Sequence, residues 1–234
     1  MPAPDLAVES LSDAVCCRVG YAPDPWSWTD WIYGPFTGRW DDPDTAYRVL
    51  YAASSEFACF VELLARFRKD PVVTAGMQEI VSNDARDADH PTVSGGVVPS
   101  EWFDPRCVAT GRITGEYVDV QHADSISHLR PHFVLLARSL GLSDFDGAAI
   151  RSSEPRTLTQ RVSRHLYVRT APQFDGVLFE SRLGNDITLI GIFERRDTST
   201  GTRSRLIDPV DVIAIDPESP DFQRALEVLD LEVG

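Results

Sequence analysis

Within one short stretch, residues 34–69 (GPFTGRWDDPDTAYRVLYAASSEFACFVELLARFRKD), lie an arginine in a glycine-flanked turn, a tyrosine on a strand and a carboxylate on a helix. Arg39 follows Gly38 in a segment rich in Pro, Gly and Asp, where a loop is expected. Its guanidinium is suited to an anion, because a planar fork of N–H donors matches two oxygens at once. Pairing with Asp41 or Asp42 is the competing use of the same side chain. Glu62 is the oddity of the stretch. It stands next to Val61 and one turn from Ala58, beside an apolar helix face, so it is either at the edge of the core or directed into a cleft. Its alternative is an i,i+4 pair with Arg66, worth about 0.3–0.5 kcal/mol. Further along, FDGVLFESRLGNDITLIGIFE (174–194) reads as strand, turn, strand, with Ser181-Arg182 and Gly184-Asn185 at the turn. Turns of this kind bring a hydroxyl and backbone N–H groups to the mouth of a cleft.

The elements that must hold these side chains are legible from pattern. Tyr47 to Ala53 (YRVLYAA) has the β-branched, aromatic and apolar content of a short buried strand. Ser54 or Ser55 then caps a helix with Glu56 in its first turn, and Phe57, Phe60, Val61, Leu64 and Phe67 recur at helical spacing. Ahead of this unit, Val15 to Gly20 reads as a strand. Behind it, a helix is expected around 73–81, followed by a polar loop (82–97) and a hairpin of Cys107–Ile113 and Tyr117–Val120 turning at Thr114-Gly115-Glu116. Residues 124–140 predict a helix ending at Gly141, with Pro131 in its first turns or kinking it. Residues 155–169 predict another, with Pro155 at its start. Strands Gly176–Ser181 and Ile187–Glu194 follow, then a strand at Asp211–Ile215 and a helix Pro220–Leu229 opened by Ser219. Helices and strands mix without a βαβ rhythm, which favours an α+β fold with a mixed sheet and surrounding helices. The length fits a single domain over 1–234 with a sizeable core.

Composition removes several classes of function. A net charge of −14 argues against a nucleic-acid partner, which requires a basic surface to neutralise phosphates. It leaves room for a small anionic ligand in a local arginine cluster. No run approaches ~20 apolar residues, so no membrane span is expected. The acidic start, MPAPDLAVESLSD, lacks the features of a signal peptide, which makes the cytoplasm the expected location. Cys16, Cys17, Cys59 and Cys107 form no CxxC pair and read as free thiols. His128 and His132 have i,i+4 spacing, but Pro131 intervenes and no acidic residue completes a ligand set, so no metal is expected. Trp26, Trp28, Trp31 and Trp40 cluster around the first unit, for packing or as walls of a pocket.

Taken in order, Arg18 in CRVG, Gly38-Arg39-Trp40-Asp41, Val49-Leu50-Tyr51-Ala52, Ser54 to Glu62, Asp175-Gly176, Glu180-Ser181-Arg182 and Gly184-Asn185 resemble the RES domain, over about residues 15–195. A C-terminal strand and helix follow as an extension. The resemblance implies a fold similar to that of ADP-ribosyltransferase toxins, and a cleft for NAD⁺. It also implies an enzyme that degrades NAD⁺ by hydrolysis or phosphorolysis as the toxin half of a toxin–antitoxin pair. Alternatives from related proteins are transfer of ADP-ribose to a protein, and an inactive binding module. In this frame Glu62, Arg39 and Tyr51 are the catalytic candidates, and Arg18, Ser181, Ser54 and Asn185 the substrate-binding ones. NAD⁺ enters as substrate rather than cofactor, with inorganic phosphate as a co-substrate if phosphate is the acceptor. An antitoxin and a second copy of the chain are the partners implied. The histidine that family members often carry near the second turn is missing from SRLGND, and 82–105 is longer than a minimal member needs.

Overall fold

The structure is a computed structural model, described for residues 5–69, 95–152, 154–195, 198 and 201–234. The helix expected at 73–81 and most of the polar loop after it lie outside the described residues. Strands β1 (Val8–Tyr21), β2 (Val49–Ala53), β4 (Arg106–Asp119), β5 (Gly176–Ser181), β6 (Gly184–Phe193) and β7 (Ile207–Ala214) form one sheet. Two short strands, β3 (Val97–Val98) and β8 (Glu232–Val233), pair separately and in parallel. Pairing runs β1–β2–β6–β5–β4–β7 and is antiparallel except between β4 and β5, so the sheet is mixed. A further pairing returns β4 to β1 along its whole length, from Val8 opposite Val118 to Tyr21 opposite Arg106. The sheet therefore closes on itself.

Closure gives the sheet two buried faces. On one, Leu50, Ile113, Tyr117, Leu178, Ile190 and Ile192 pack with Trp26 and Trp28. On the other, Phe179, Leu189 and Phe193 meet the helices. This explains why β5 (GVLFES) reads as a continuous apolar run: Val177 and Phe179 serve one face and Leu178 the other.

The helices are α1 (Glu56–Leu64), α2 (Ala123–Ser139), α3 (Gly147–Arg151), α4 (Arg156–Tyr167) and α5 (Pro220–Leu229). Ser55, rather than Ser54, caps α1, its hydroxyl accepting from the Ala58 N–H at 3.2 Å. Pro131 sits inside α2, well beyond its first turns. Gly141, at φ +87°, takes the left-handed position just past that helix, as its sequence placement suggested. The C-terminal elements are built into the core. β7 pairs with β4 over Cys107–Ile113, and Phe222 of α5 stacks edge-on against Phe60 of α1 at 5.0 Å.

The hairpin expected at Thr114-Gly115-Glu116 is not formed. Residues 106–119 are one strand, held on one edge by β1 and on the other by β7 and then β5. Gly115 is there for a different reason. At φ +124° a Cβ would stand 2.7 Å from Asp175 Oδ2, the oxygen that accepts the Glu116 N–H. A turn-like tripeptide was overridden by pairing with strands far away in sequence.

Candidate active site

The turn that carries Arg39 is built from its neighbours. Gly38 donates its N–H to Asp41 Oδ2 at 2.5 Å, the Trp40 N–H donates to Tyr51 Oη at 3.0 Å, and Tyr51 Oη donates to Asp41 Oδ1 at 3.1 Å. A Cβ on residue 38 would lie 2.5 Å from Tyr51 Oη, so glycine is required by space alone. Trp40 is fully buried against Phe179 and anchors the turn in the core. Helix α4 clamps the outside: Gln160 donates to the Gly38 carbonyl at 3.1 Å and Arg156 to the Thr37 carbonyl at 2.7 Å. Asp41 and Asp42 are thus already engaged, Asp41 with Tyr51 and Asp42 with Arg164 at 3.3 Å. Neither is the partner of Arg39. That guanidinium lies over the Phe179 ring, 5.3 Å from its centroid, and donates through Nη2 to the Ile150 carbonyl. Its Nε is buried without a hydrogen-bond partner. Burial lowers its pKa, Glu62 and Tyr51 oppose that, and the nearby charges of Arg182 and Arg151 add to it.

Glu62 and Ser181, 119 positions apart, meet. The Ser181 hydroxyl donates to Glu62 Oε1 and accepts the Leu183 N–H at 2.9 Å. Ser181 is completely buried and Glu62 half-buried, so the carboxylate is held from its buried side. Arg66 is turned instead over the Phe67 ring. The arrangement is an anchored carboxylate near a guanidinium whose charge is unsaturated. It can bind a ligand carrying both anionic groups and a centre that becomes positive.

The other candidates sit nearby in different capacities. The Tyr51 hydroxyl is spent on the Arg39 turn, and burial together with Asp41 pushes its pKa well up, so it positions that turn. Arg18 donates through Nε to the Pro25 carbonyl at 2.7 Å and through Nη1 to the Tyr51 carbonyl. Burial brings its pKa down to about 10. It therefore braces the loop after β1 against β2. Ser54 is exposed at the junction of β2 and α1, with its backbone N–H on the Thr188 carbonyl at 3.1 Å. Asn185 is exposed and accepts from Arg151 Nη1 at 2.8 Å.

Arg151 was not anticipated. It ends the single-turn helix α3, where no periodic pattern marks it, and reaches both Glu180 and Asn185. Beside it opens a cavity of about 680 Å³ lined by Asp119, Gln121, Gly147, Arg151, Glu180 and Arg182, among others. Glu180 and Arg182 flank Ser181, so this cavity adjoins the Glu62–Ser181 pair without containing it. Trp26, Trp28 and Trp40 are core residues, while Trp31 is largely exposed. The four cysteines are free and buried. His128, His132 and His165 form a row between α2 and α4, but among the described residues no group of His, Cys, Asp and Glu could hold a metal ion. Nor is any described helix long and apolar enough to cross a membrane.

A mixed sheet closed on itself and flanked by helices defines an α+β fold, in which an arginine and a serine-anchored carboxylate come together. The RES domain matches residues 15–203, and the chain belongs to that family. Among solved structures it is similar to a chain of the M. tuberculosis MbcT–MbcA toxin–antitoxin complex. The two are 15% identical with a TM-score of 0.50, over 94% of this chain and 91% of that one, a likeness of fold. No curated protein matches by sequence.

Proposed function

We propose that the chain is an enzyme that degrades NAD⁺, cleaving the bond between nicotinamide and ribose with water or inorganic phosphate as acceptor, and that it is the toxin of a toxin–antitoxin pair. The observation that carries this reading is the hydrogen bond from Ser181 to Glu62 beside Arg39, three residues on which the sequence resembles the RES domain. The fold likeness to a chain of a toxin–antitoxin complex supports the partner, and the reading expects kinship with the ADP-ribosyltransferase toxins.

The chemistry asks three things of the protein. It must grip two phosphates, hold a ribose, and stabilise positive charge at C1′ as the glycosidic electron pair leaves with the nicotinamide nitrogen. Arg39 contributes to the first, through charge-assisted hydrogen bonds to phosphate oxygens. Glu62 answers the other two. Its free oxygen accepts from ribose hydroxyls, and its negative charge lies where cationic character develops, with no reorganisation because Ser181 already holds it. The acceptor oxygen then bonds to C1′; water loses a proton to solvent as it does so, whereas phosphate attacks through an oxygen that is already anionic. Nicotinamide release from NAD⁺, with and without phosphate, tests the reading beside Glu62→Gln. Release that drops by ~10²–10³ in the variant supports it. Wild-type protein inert under both conditions, with no inhibitor co-purified, overturns it.

A further inference from the structure

Helix α3 is tied to the site from both sides. Arg39 donates to the carbonyl of Ile150, and the next residue, Arg151, forms an ion pair with Glu180 and a hydrogen bond to Asn185, on the strand and turn that deliver Ser181. Arg151 resembles Arg39 in one respect: its Nε is buried without a hydrogen-bond partner, so the protein leaves part of its donor fork unused. Arg182 adds a third cation on the same rim. In a chain of net charge −14, Arg151 and Arg182 on one cavity, both within electrostatic reach of Arg39, are a local exception that fits a polyanionic ligand. The cavity beside them, about 680 Å³, is lined by Arg151 and Arg182 together with Gln121 and Gly147. That volume is within the range of small-molecule sites.

We propose that Arg151 reads the phosphate on the far side of the pyrophosphate, and that the adjoining cavity seats the nucleoside half beyond it. The site thereby selects a dinucleotide over a mononucleotide. This rests on the reading of Glu62 and Ser181 as the NAD⁺-cleaving centre. Glu180, which pairs with Arg151, then competes with a phosphate oxygen for the same guanidinium.

The test compares wild type, Arg151→Ala, Arg151→Lys and Glu180→Gln with NAD⁺ and with nicotinamide mononucleotide, which lacks the second phosphate and the adenosine. Arg151→Ala should raise KM for NAD⁺ by roughly 10- to 100-fold, the value of a charged hydrogen bond, with kcat within about 3-fold. Turnover of the mononucleotide should stay within about 3-fold, and lysine should recover part of the loss. Glu180→Gln, which removes the charge competing for Arg151, should lower KM for NAD⁺. Equal losses on both substrates, or a KM raised as much by Glu180→Gln as by Arg151→Ala, would make the ion pair a structural strut and overturn the proposal. Calorimetric titration with ADP-ribose separates this proposal from the reaction itself. Binding weakened at least 10-fold by Arg151→Ala, in a protein that releases no nicotinamide, would keep the subsite and discard the chemistry. Unchanged binding would discard the subsite whatever the turnover.

Discussion

Ser181→Ala removes a single oxygen with two partners. The hydroxyl donates to the Glu62 carboxylate and accepts the Leu183 N–H at 2.9 Å, in a position with no solvent exposure. A hydrogen bond to a charged group is worth about 1.5–3 kcal/mol, and a buried N–H left unpaired costs about 1–3 kcal/mol. Both losses arise from one atom, and the half-exposed Glu62 recovers some solvation, so the expected destabilisation is about 2–4 kcal/mol. For a chain of this length that lowers Tm by roughly 5–15 °C. The catalytic consequence is separate. Glu62 keeps its charge but loses the contact that fixes its direction, and misplacement on the order of 1 Å costs ~10²-fold in rate. Nicotinamide release, measured well below the lowered Tm, should therefore show kcat down by ~10–100-fold with KM for NAD⁺ within about 3-fold. Glu62→Gln should show the complementary result, with kcat lost by ~10²–10³ and Tm nearly unchanged, because an amide oxygen still accepts from Ser181. A Ser181→Ala variant with the Tm loss but full kcat would make Ser181 a serine that merely closes a hairpin, and would refute the argument that it orients Glu62.

Three further outcomes follow from the same geometry. Tyr51→Phe deletes the acceptor of the Trp40 N–H and a donor to the buried Asp41; Tm should fall and KM for NAD⁺ should rise as the Arg39 turn loosens, whereas a fall in kcat at unchanged Tm would mean that the hydroxyl touches the reacting atoms. Burial, reinforced by His132, Arg169 and His128, lowers the pKa of His165, whose ordinary value is 6.5, while Arg161 and Arg164 share the groove beside it. The unfolded chain then binds the proton more tightly, so stability should be level above about pH 6.5 and fall as pH drops through it, and a thermal-melt series in which His165→Phe keeps the same acid slope would refute this. Burial raises the pKa of Cys16 to about 12 and of Cys17 to about 11, so iodoacetamide should leave both unlabelled in the native protein and label both after denaturation, as read by peptide mass spectrometry.

Local order was largely legible. A cap at Ser54 or Ser55, the apolar face of α1, the two strands around Ser181 and the final helix all follow from patterns of fewer than about 20 residues, in which neighbours along the chain determine the conformation. The hairpin at Gly115 failed for the opposite reason: a glycine within a polar triplet looks like a turn until strands about 100 residues earlier and later pair across it. Arg151 was invisible because a one-turn helix has no periodicity, and its partners Glu180 and Asn185 are about 30 residues away. Tyr51 was a catalytic candidate from the sequence, and only the structure shows its hydroxyl spent on the turn that holds Arg39.

By itself the sequence determined which side chains were available and which element each would ride on, because capping, turn chemistry and hydrophobic period act within a few residues. It determined the charge balance that argues against a nucleic-acid surface as well. Only the tertiary structure decided that Glu62 is held by Ser181 and not by Arg66, that Arg39 leaves Asp41 and Asp42 for the Ile150 carbonyl and the Phe179 ring, and that Arg151 stands beside the cavity. Those contacts depend on the register of a sheet closed on itself. Register is set by the simultaneous burial of both faces, a condition that no short segment can express.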